Sequence, residues 1–216
     1  MKKLSRMQIA VWVLAAVPVL AVALCYGSLP AQVPMHWGLS GVVSYGDKWQ
    51  LWLMAGMAPL LAVLFPLLPK IDPRRRSYDK FMGSYLVFQL VMMLFLAVMT
   101  GIVLAEGLRP GLVDVGVVVC ALVSLLFIIL GNMMPKFRPN WFFGIKNPWT
   151  ISSEAVWVRT HRMGGRLLFA AGVLGLLGCF LPPVPRFAVL IGAACAAVLL
   201  PSVMSFFWYR SEQQNG

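Results

Sequence analysis

Charge is scarce in this chain. Of its 216 residues only 12% are Asp, Glu, Lys or Arg, against about 25% in an ordinary soluble domain. Acidic residues are the rarer kind: seven Asp and Glu stand against eighteen Lys and Arg, for a formal net charge of +11. With 60% of the residues hydrophobic, too little polar surface remains to coat a soluble globule, so lipid is the solvent for most of the chain. A basic excess would suit nucleic acid if it lay on one soluble face. Here it is dispersed between apolar runs, which reads as juxtamembrane charge, and no direct nucleic-acid binding is expected.

Residues that carry chemistry are equally thin. Cys25, Cys120, Cys179 and Cys195 all fall inside apolar runs, without metal-ligand or redox spacing, as small buried hydrophobes do. The two histidines, His36 and His161, fall on opposite sides of the membrane in the topology given below. Roughly 30 Å of hydrocarbon would separate them, so they cannot share a metal ion. There is no HExxH, no GxSxG, no P-loop and no paired intramembrane aspartate. The middles of the apolar runs lack the ionisable residue that a proton-coupled transporter usually carries. No enzyme, metal or cofactor is expected. Gln89 is the main polar group inside a run, and it is expected to hydrogen-bond between helices.

Apolar runs are what the chain has in abundance. Spanning a bilayer takes about 20 apolar residues in a helix, and six segments qualify: Met7–Leu29, Trp49–Pro69, Phe81–Ala105, Val113–Gly131, Gly164–Leu181 and Phe187–Tyr209. The first follows a basic stretch as a signal peptide would. It is too long for a typical h-region and no convincing A-x-A site follows, so it is expected to be retained. The fifth is the weakest, its apolar core being only Leu167–Leu181. Gly164 and Gly165 are expected to mark a bend at its start, and Ala171, Gly175 and Cys179 have small-xxx-small spacing that suggests close helix packing. Fifteen of the eighteen Lys and Arg fall at the N-terminus, in the second and fourth connections and in the tail, leaving Lys48, Arg109 and Arg186 on the other side. That bias predicts an even number of spans with both termini in the cytoplasm. The expected fold is an all-α integral membrane helical bundle of six transmembrane helices. Residues 1–70 would form a two-helix unit with an outer loop at 30–48. Residues 71–216 would form a four-helix unit with a cytoplasmic motif segment at 131–165.

The motif segment is basic and aromatic. Pro135, Pro139 and Pro148 forbid one continuous helix through its first half. Trp141, Phe142, Phe143 and Trp149 lie among Lys136, Arg138 and Lys146, a mixture suited to the cytoplasmic headgroup zone. Thr150, Ser152 and Ser153 offer hydroxyls for a helix N-terminus, with Glu154 well placed in the first turn. From Ala155 to Arg162 the chain can run helically, with Trp157 and His161 four apart on one face and Glu154 in register with them. A carboxylate, an indole and an imidazole in register suit either a lock onto the bundle end or a grip on a polar ligand or partner.

These residues carry a resemblance. Gly131-Asn132-x-Met134-Pro135, Asn140-Trp-Phe-Phe-Gly144, Pro148-Trp149-Thr150, Ser153-Glu154, Trp157 and Thr160-His161-Arg162-x-Gly164-Gly165 resemble the signature of the SdpI family. These are bacterial multi-pass proteins named for an immunity protein against a secreted killing peptide. In the outer loop, Leu29-Pro30, Val33-Pro34-x-His36-Trp37 and Gly41 resemble a small domain of unknown function often found before the SdpI segment. The chain departs from the family at Lys146, where Arg is usual, and at Asn147, where Thr is usual. Lysine keeps the charge but not the bidentate fork.

The resemblance implies a bacterial plasma-membrane protein that gives immunity to, and in some systems senses, a secreted antibacterial peptide. It also implies membrane lipids as partners, a peptide toxin on the outer side and a cytoplasmic repressor held at the membrane. The outer loop around His36 and Trp37 would meet the toxin. The inner residues would respond: Asn132, Pro135, Asn140, Gly144, Lys146, Pro148, Trp149, Thr150, Ser153, Glu154, Trp157, Thr160, His161 and Arg162. The alternative is a small-solute transporter or envelope-homeostasis protein sharing the fold. A third class, an enzyme with an unfamiliar site built from Glu154 and His161, has no recognisable motif behind it.

Overall fold

The apolar runs become helices because the hydrocarbon leaves backbone amides no other partner. In the computed structural model, which describes residues 5–38 and 42–215, these are α1 (Arg6–Cys25), α2 (Gln50–Ile71), α3 (Met82–Leu108), α4 (Val115–Met133), α5 (Pro148–Ser152), α6 (Glu154–Gly178) and α7 (Pro183–Asn215). Lys2, Lys3 and Gly41 lie outside the described residues. Large apolar side chains such as Leu24, Leu53, Phe180 and Phe207 are exposed, a surface that only lipid can cover. The protein is an all-α membrane bundle. Among the described residues, α1, α2, α3, α4 and α7 are long and apolar enough to cross a membrane. The stretch expected as a fifth span is the second part of α6. The first part of α6 carries Arg159, Arg162 and Arg166, so that helix has spanning character only beyond Arg166.

The chain divides into two compact units, Met1–Leu67 with Leu86–Leu122, and Leu68–Tyr85 with Val123–Gly216. In the first unit the expected outer loop is a β-hairpin. Strand β1 (Gln32–Trp37) pairs antiparallel with β2 (Val43–Asp47), and an irregularity between Pro34 and His36 breaks the register. Proline cannot donate to a ladder and is tolerated at such a bulge, so Pro34 conceals the strand in the sequence. Val33 is buried against Val22, Leu29, Leu51, Ala55, Val103 and Leu104. Lys48 Nζ donates to the carbonyls of Tyr26 and Leu29 at 3.3 and 3.4 Å and lies 4.7 Å from the Tyr26 ring centroid. At the turn after α3, the Glu106 carboxylate accepts the Gly111 and Val113 amides at 2.9 and 3.0 Å, with Gly111 at φ +80°.

In the second unit, α6 packs on α7 and on the end of α4. Gly164 and Gly165, expected at the start of a span, lie instead inside α6, which runs unbroken from Glu154 to Gly178. These glycines serve close approach instead. A Cβ at Gly165 would lie 2.6 Å from the Gly131 carbonyl oxygen, and one at Gly131 would lie 2.6 Å from the Phe169 amide nitrogen. A Cβ at Gly172 would lie 2.5 Å from the Ser124 carbonyl oxygen. Backbones this near need residues without side chains, and the van der Waals attraction between them is what binds helices in lipid.

Candidate functional site

The motif segment is built on its prolines and caps. Helix α4 stops at Met133, and Pro135 lies inside a single 3-10 turn, Met134–Lys136. The chain then runs irregularly to Pro148, the first residue of α5, where Asn147 caps the helix. Asn147 Oδ1 accepts the Thr150 amide at 2.9 Å while Thr150 Oγ1 accepts the Asn147 amide at 3.0 Å. Such a reciprocal capping box satisfies two orphan donors at once. Asn147 Nδ2 also donates to Ser205 Oγ on α7 at 2.8 Å, so the departure at this position is built into the packing. One residue after α5, Ser153 Oγ accepts the Val156 amide and starts α6.

Trp157 and His161 are the centre of the segment. Their rings stack with centroids 4.0 Å apart and planes at 17°, and the residues are 0% and 1% exposed. Trp157 Nε1 donates to the Phe137 carbonyl at 2.9 Å. The Ile145 amide donates to His161 Nε2 at 3.1 Å, and His161 Nδ1 lies 2.8 Å from the Trp157 carbonyl oxygen. Nε2 must therefore accept and Nδ1 donate, which assigns the neutral Nδ1–H tautomer. Burial lowers the imidazole pKa from 6.5 to about 4, outweighing the opposing hydrogen bond to the Trp157 carbonyl. Gly144 makes the approach possible. It sits at φ +99°, and a Cβ there would fall on His161 Nε2. Thr160 is buried beside them and donates to the Val156 carbonyl at 2.8 Å.

A second knot ties the loop before Gly144. Asn140 is buried; its Oδ1 accepts the Phe142 and Phe143 amides at 2.9 and 2.7 Å and its Nδ2 donates to the Arg138 carbonyl at 2.9 Å. The Trp141 amide donates to Asp72 Oδ2 at 3.0 Å. Asp72, 2% exposed, also accepts the Tyr78 hydroxyl at 3.0 Å and the Arg74 amide at 2.7 Å. Burial and that carboxylate push the Tyr78 phenol well above its ordinary pKa, so it stays a donor. Three donors compensate the desolvation that would otherwise make a buried carboxylate costly. Arg74 Nη2 in turn donates to the Ile151 carbonyl at 2.7 Å, holding the end of α5. Phe137 and Phe143 join Phe81 and Tyr85 in a ring cluster, with Tyr85 to Phe143 at 5.0 Å.

The remaining candidates lie on the outside. Lys146 Nζ donates to the Trp141 and Phe142 carbonyls at 3.0 and 3.1 Å, so here the position clasps backbone. Trp149 packs on Phe206 at 5.1 Å. Asn132 and Pro135 line a cavity of about 350 Å³ with Gly165 and Arg166. Glu154 is exposed and lines a polar cavity of about 300 Å³ with Arg74, Lys80 and Arg138. It does not share a site with His161, whose ring nitrogens are both engaged elsewhere. Arg162 is exposed, as is His36 on β1, while Trp37 is partly buried. Asp72, Tyr78, Arg74 and Ser205 are the participants that sequence reasoning missed. Asp72 had one signal, as one of two acids in an otherwise basic connection.

Residues 136–205 match the model of the SdpI/YfhL protein family. This segment of the chain is similar to the SdpI family. That segment takes in the whole lock from Asn140 through Trp157 and His161 to Ser205, and leaves Asp72 and Tyr78 outside it. Residues 13–58, which include the hairpin, match a domain of unknown function, DUF1648. The chain is also 19% identical over 186 residues to the "Immunity protein SdpI" of Bacillus subtilis (strain 168), covering 86% of this chain and 87% of that one. No solved structure matches it.

Proposed function

We propose that this protein protects a bacterial plasma membrane against a secreted antibacterial peptide and senses that peptide. The observation that carries the reading is the similarity to an immunity protein along 86% of the chain. It extends across both motif regions. In this reading the protein has six spans, the apolar half of α6 completing the fifth, and both termini are cytoplasmic. The hairpin with His36 and Trp37 then faces outward, where a secreted peptide arrives. The lock around Trp157 and His161 acts as a rigid part, because its polar atoms are spent on one another. A cytoplasmic repressor, where one is held, contacts the exposed rim at Glu154, Arg138 and Lys80. Support for that face comes from its mixed charge and its open cavity.

The test is survival. The protein is expressed in a bacterium sensitive to a peptide of the kind that SdpI-family immunity proteins neutralise, beside His36→Ala and Glu154→Ala at matched membrane levels. Protection by the parent chain, lost in His36→Ala, is the expected result. No protection by the parent chain would favour solute transport or envelope homeostasis, which uptake into proteoliposomes then measures. For the topology, Tyr45→Cys should react with an impermeant maleimide added outside cells, and Ser152→Cys only after lysis.

A further inference from the structure

Arg159, Arg162 and Arg166 recur at spacings of three and four, so they lie along one face of α6 and span about 10 Å of its length. All three are exposed, and none makes an ion pair or side-chain hydrogen bond among the described residues. With Met163, Leu167 and Trp208 of α7 they line an open cavity of about 590 Å³. Glu212 lines an adjoining cavity with Arg159 and Trp208. Three cations against one carboxylate leave the face strongly basic.

Its depth follows from the chain on either side. Beyond Arg166, α6 is apolar from Leu167 to Gly178, so Arg166 stands where the hydrocarbon begins. Helix α7 returns antiparallel after a short turn and reaches Trp208 just before Arg210, Ser211 and Glu212. An indole at such a boundary sits at headgroup level. One cavity thus has a cationic wall on the aqueous side and an apolar wall continuous with two lipid-facing helices. An occupant that matches both walls has an anionic phosphate head and hydrocarbon chains.

We propose that this cavity is a specific site for an anionic phospholipid, its phosphate held by Arg159, Arg162 and Arg166 and its glycerol end resting on Trp208 and Leu167. The site uses none of the residues of the Trp157–His161 lock, and it holds whether or not the protein confers immunity. Phosphate from a soluble metabolite could also meet three arginines, and so could an acidic segment of a protein, so the experiment separates these sources.

Protein purified in neutral detergent is titrated with phosphatidylglycerol, with phosphatidylcholine and with glycerol 3-phosphate. Tm and the lipid retained in native mass spectrometry are followed. Phosphatidylglycerol should raise Tm and remain bound. Phosphatidylcholine lacks net charge and glycerol 3-phosphate lacks chains, so neither should do so. Each Arg→Gln change should weaken apparent affinity roughly fivefold, about 1 kcal/mol for each basic residue near the phosphates. Arg159→Gln/Arg162→Gln/Arg166→Gln together should weaken it roughly a hundredfold. Arg166→Lys should retain most of it. If the triple variant fails to accumulate, Arg162→Gln alone gives the same reading. Equal retention of phosphatidylcholine, an equal shift with glycerol 3-phosphate, or undiminished binding by the variants would overturn the proposal. Tighter binding of polyglutamate to the same arginines would also overturn it and assign the face to a protein partner.

Discussion

The segment similar to the SdpI family buries His161 and Trp157, whereas the hairpin between Gln32 and Asp47 leaves His36 exposed and Trp37 only partly covered. Both regions carry ordered motifs outside the apolar helices, so in sequence they look alike as candidate contacts. Their hydrogen bonding tells them apart. In the first of these regions Trp157, His161, Asn140 and Thr150 each satisfy backbone groups that would otherwise be orphaned. Each such group would cost about 1–3 kcal/mol unpaired. Among the described residues of the hairpin only Val33 and Pro34 are buried. A motif can therefore mark a folding lock or an open face, and changing residues in each should separate loss of protein from loss of function.

The strongest break belongs to Gly144. An alanine there must adopt φ +99° and place its methyl group on the imidazole. Backbone strain of about 1–3 kcal/mol adds to the lost Ile145–His161 bond and its orphaned donor, at about 1–3 kcal/mol. Gly144→Ala should cost about 4 kcal/mol in all, seen as a collapse of membrane yield and of Tm in detergent.

Acid should reach the same lock without mutation. The folded imidazole titrates near 4 and the unfolded one near 6.5. Between those values the unfolded chain binds more protons, so stability rises with pH there. The stabilisation is complete above about pH 6.5 and drains away as pH falls towards about 4, a loss on the order of 3 kcal/mol. His161→Gln should start less stable and lose this slope between about pH 6.5 and 4. A slope unchanged in that variant would assign the acid sensitivity to another group. A milder effect is expected of Asp72→Asn, whose side-chain N–H must face either the Arg74 amide or the Tyr78 hydroxyl and Trp141 amide together. It should cost about 2 kcal/mol, read as a lower Tm at neutral pH.

The sequence was most legible where one physical demand dominated. Apolar length located the helices, and proline positions located the irregular run between α4 and α5. Small-residue spacing pointed to close packing in α6, and the close approaches fall at Gly175, within the expected pattern, and at Gly165 and Gly172, outside it. The hairpin escaped because Pro34 stands in a strand and the bulge beside it breaks the alternation that would betray one. Glu154 misled for a different reason. Register placed it with Trp157 and His161, but the start of a helix leaves its first residue free to face water, and Glu154 is exposed. Asp72 and Ser205 bond to the segment from about 70 and 60 positions away, and no local pattern announces a partner so distant.

The smallest structural effect is expected where function should be most exposed. His36 is open on β1, and its side chain makes no hydrogen bond among the described residues. His36→Ala should change stability by less than about 0.5 kcal/mol, as surface substitutions do, with unchanged membrane level. Trp37 differs, since it packs on the Val22–Leu51 cluster; truncating it should cost about 1–2 kcal/mol through lost apolar burial. Protection lost in His36→Ala at full protein level would locate peptide contact on the hairpin. Protection kept in His36→Ala but lost in Trp37→Phe, which preserves most of the packing, would narrow the contact to the indole N–H. Protection kept in both would mean that the exposed face of the hairpin, like the buried lock, serves the fold alone.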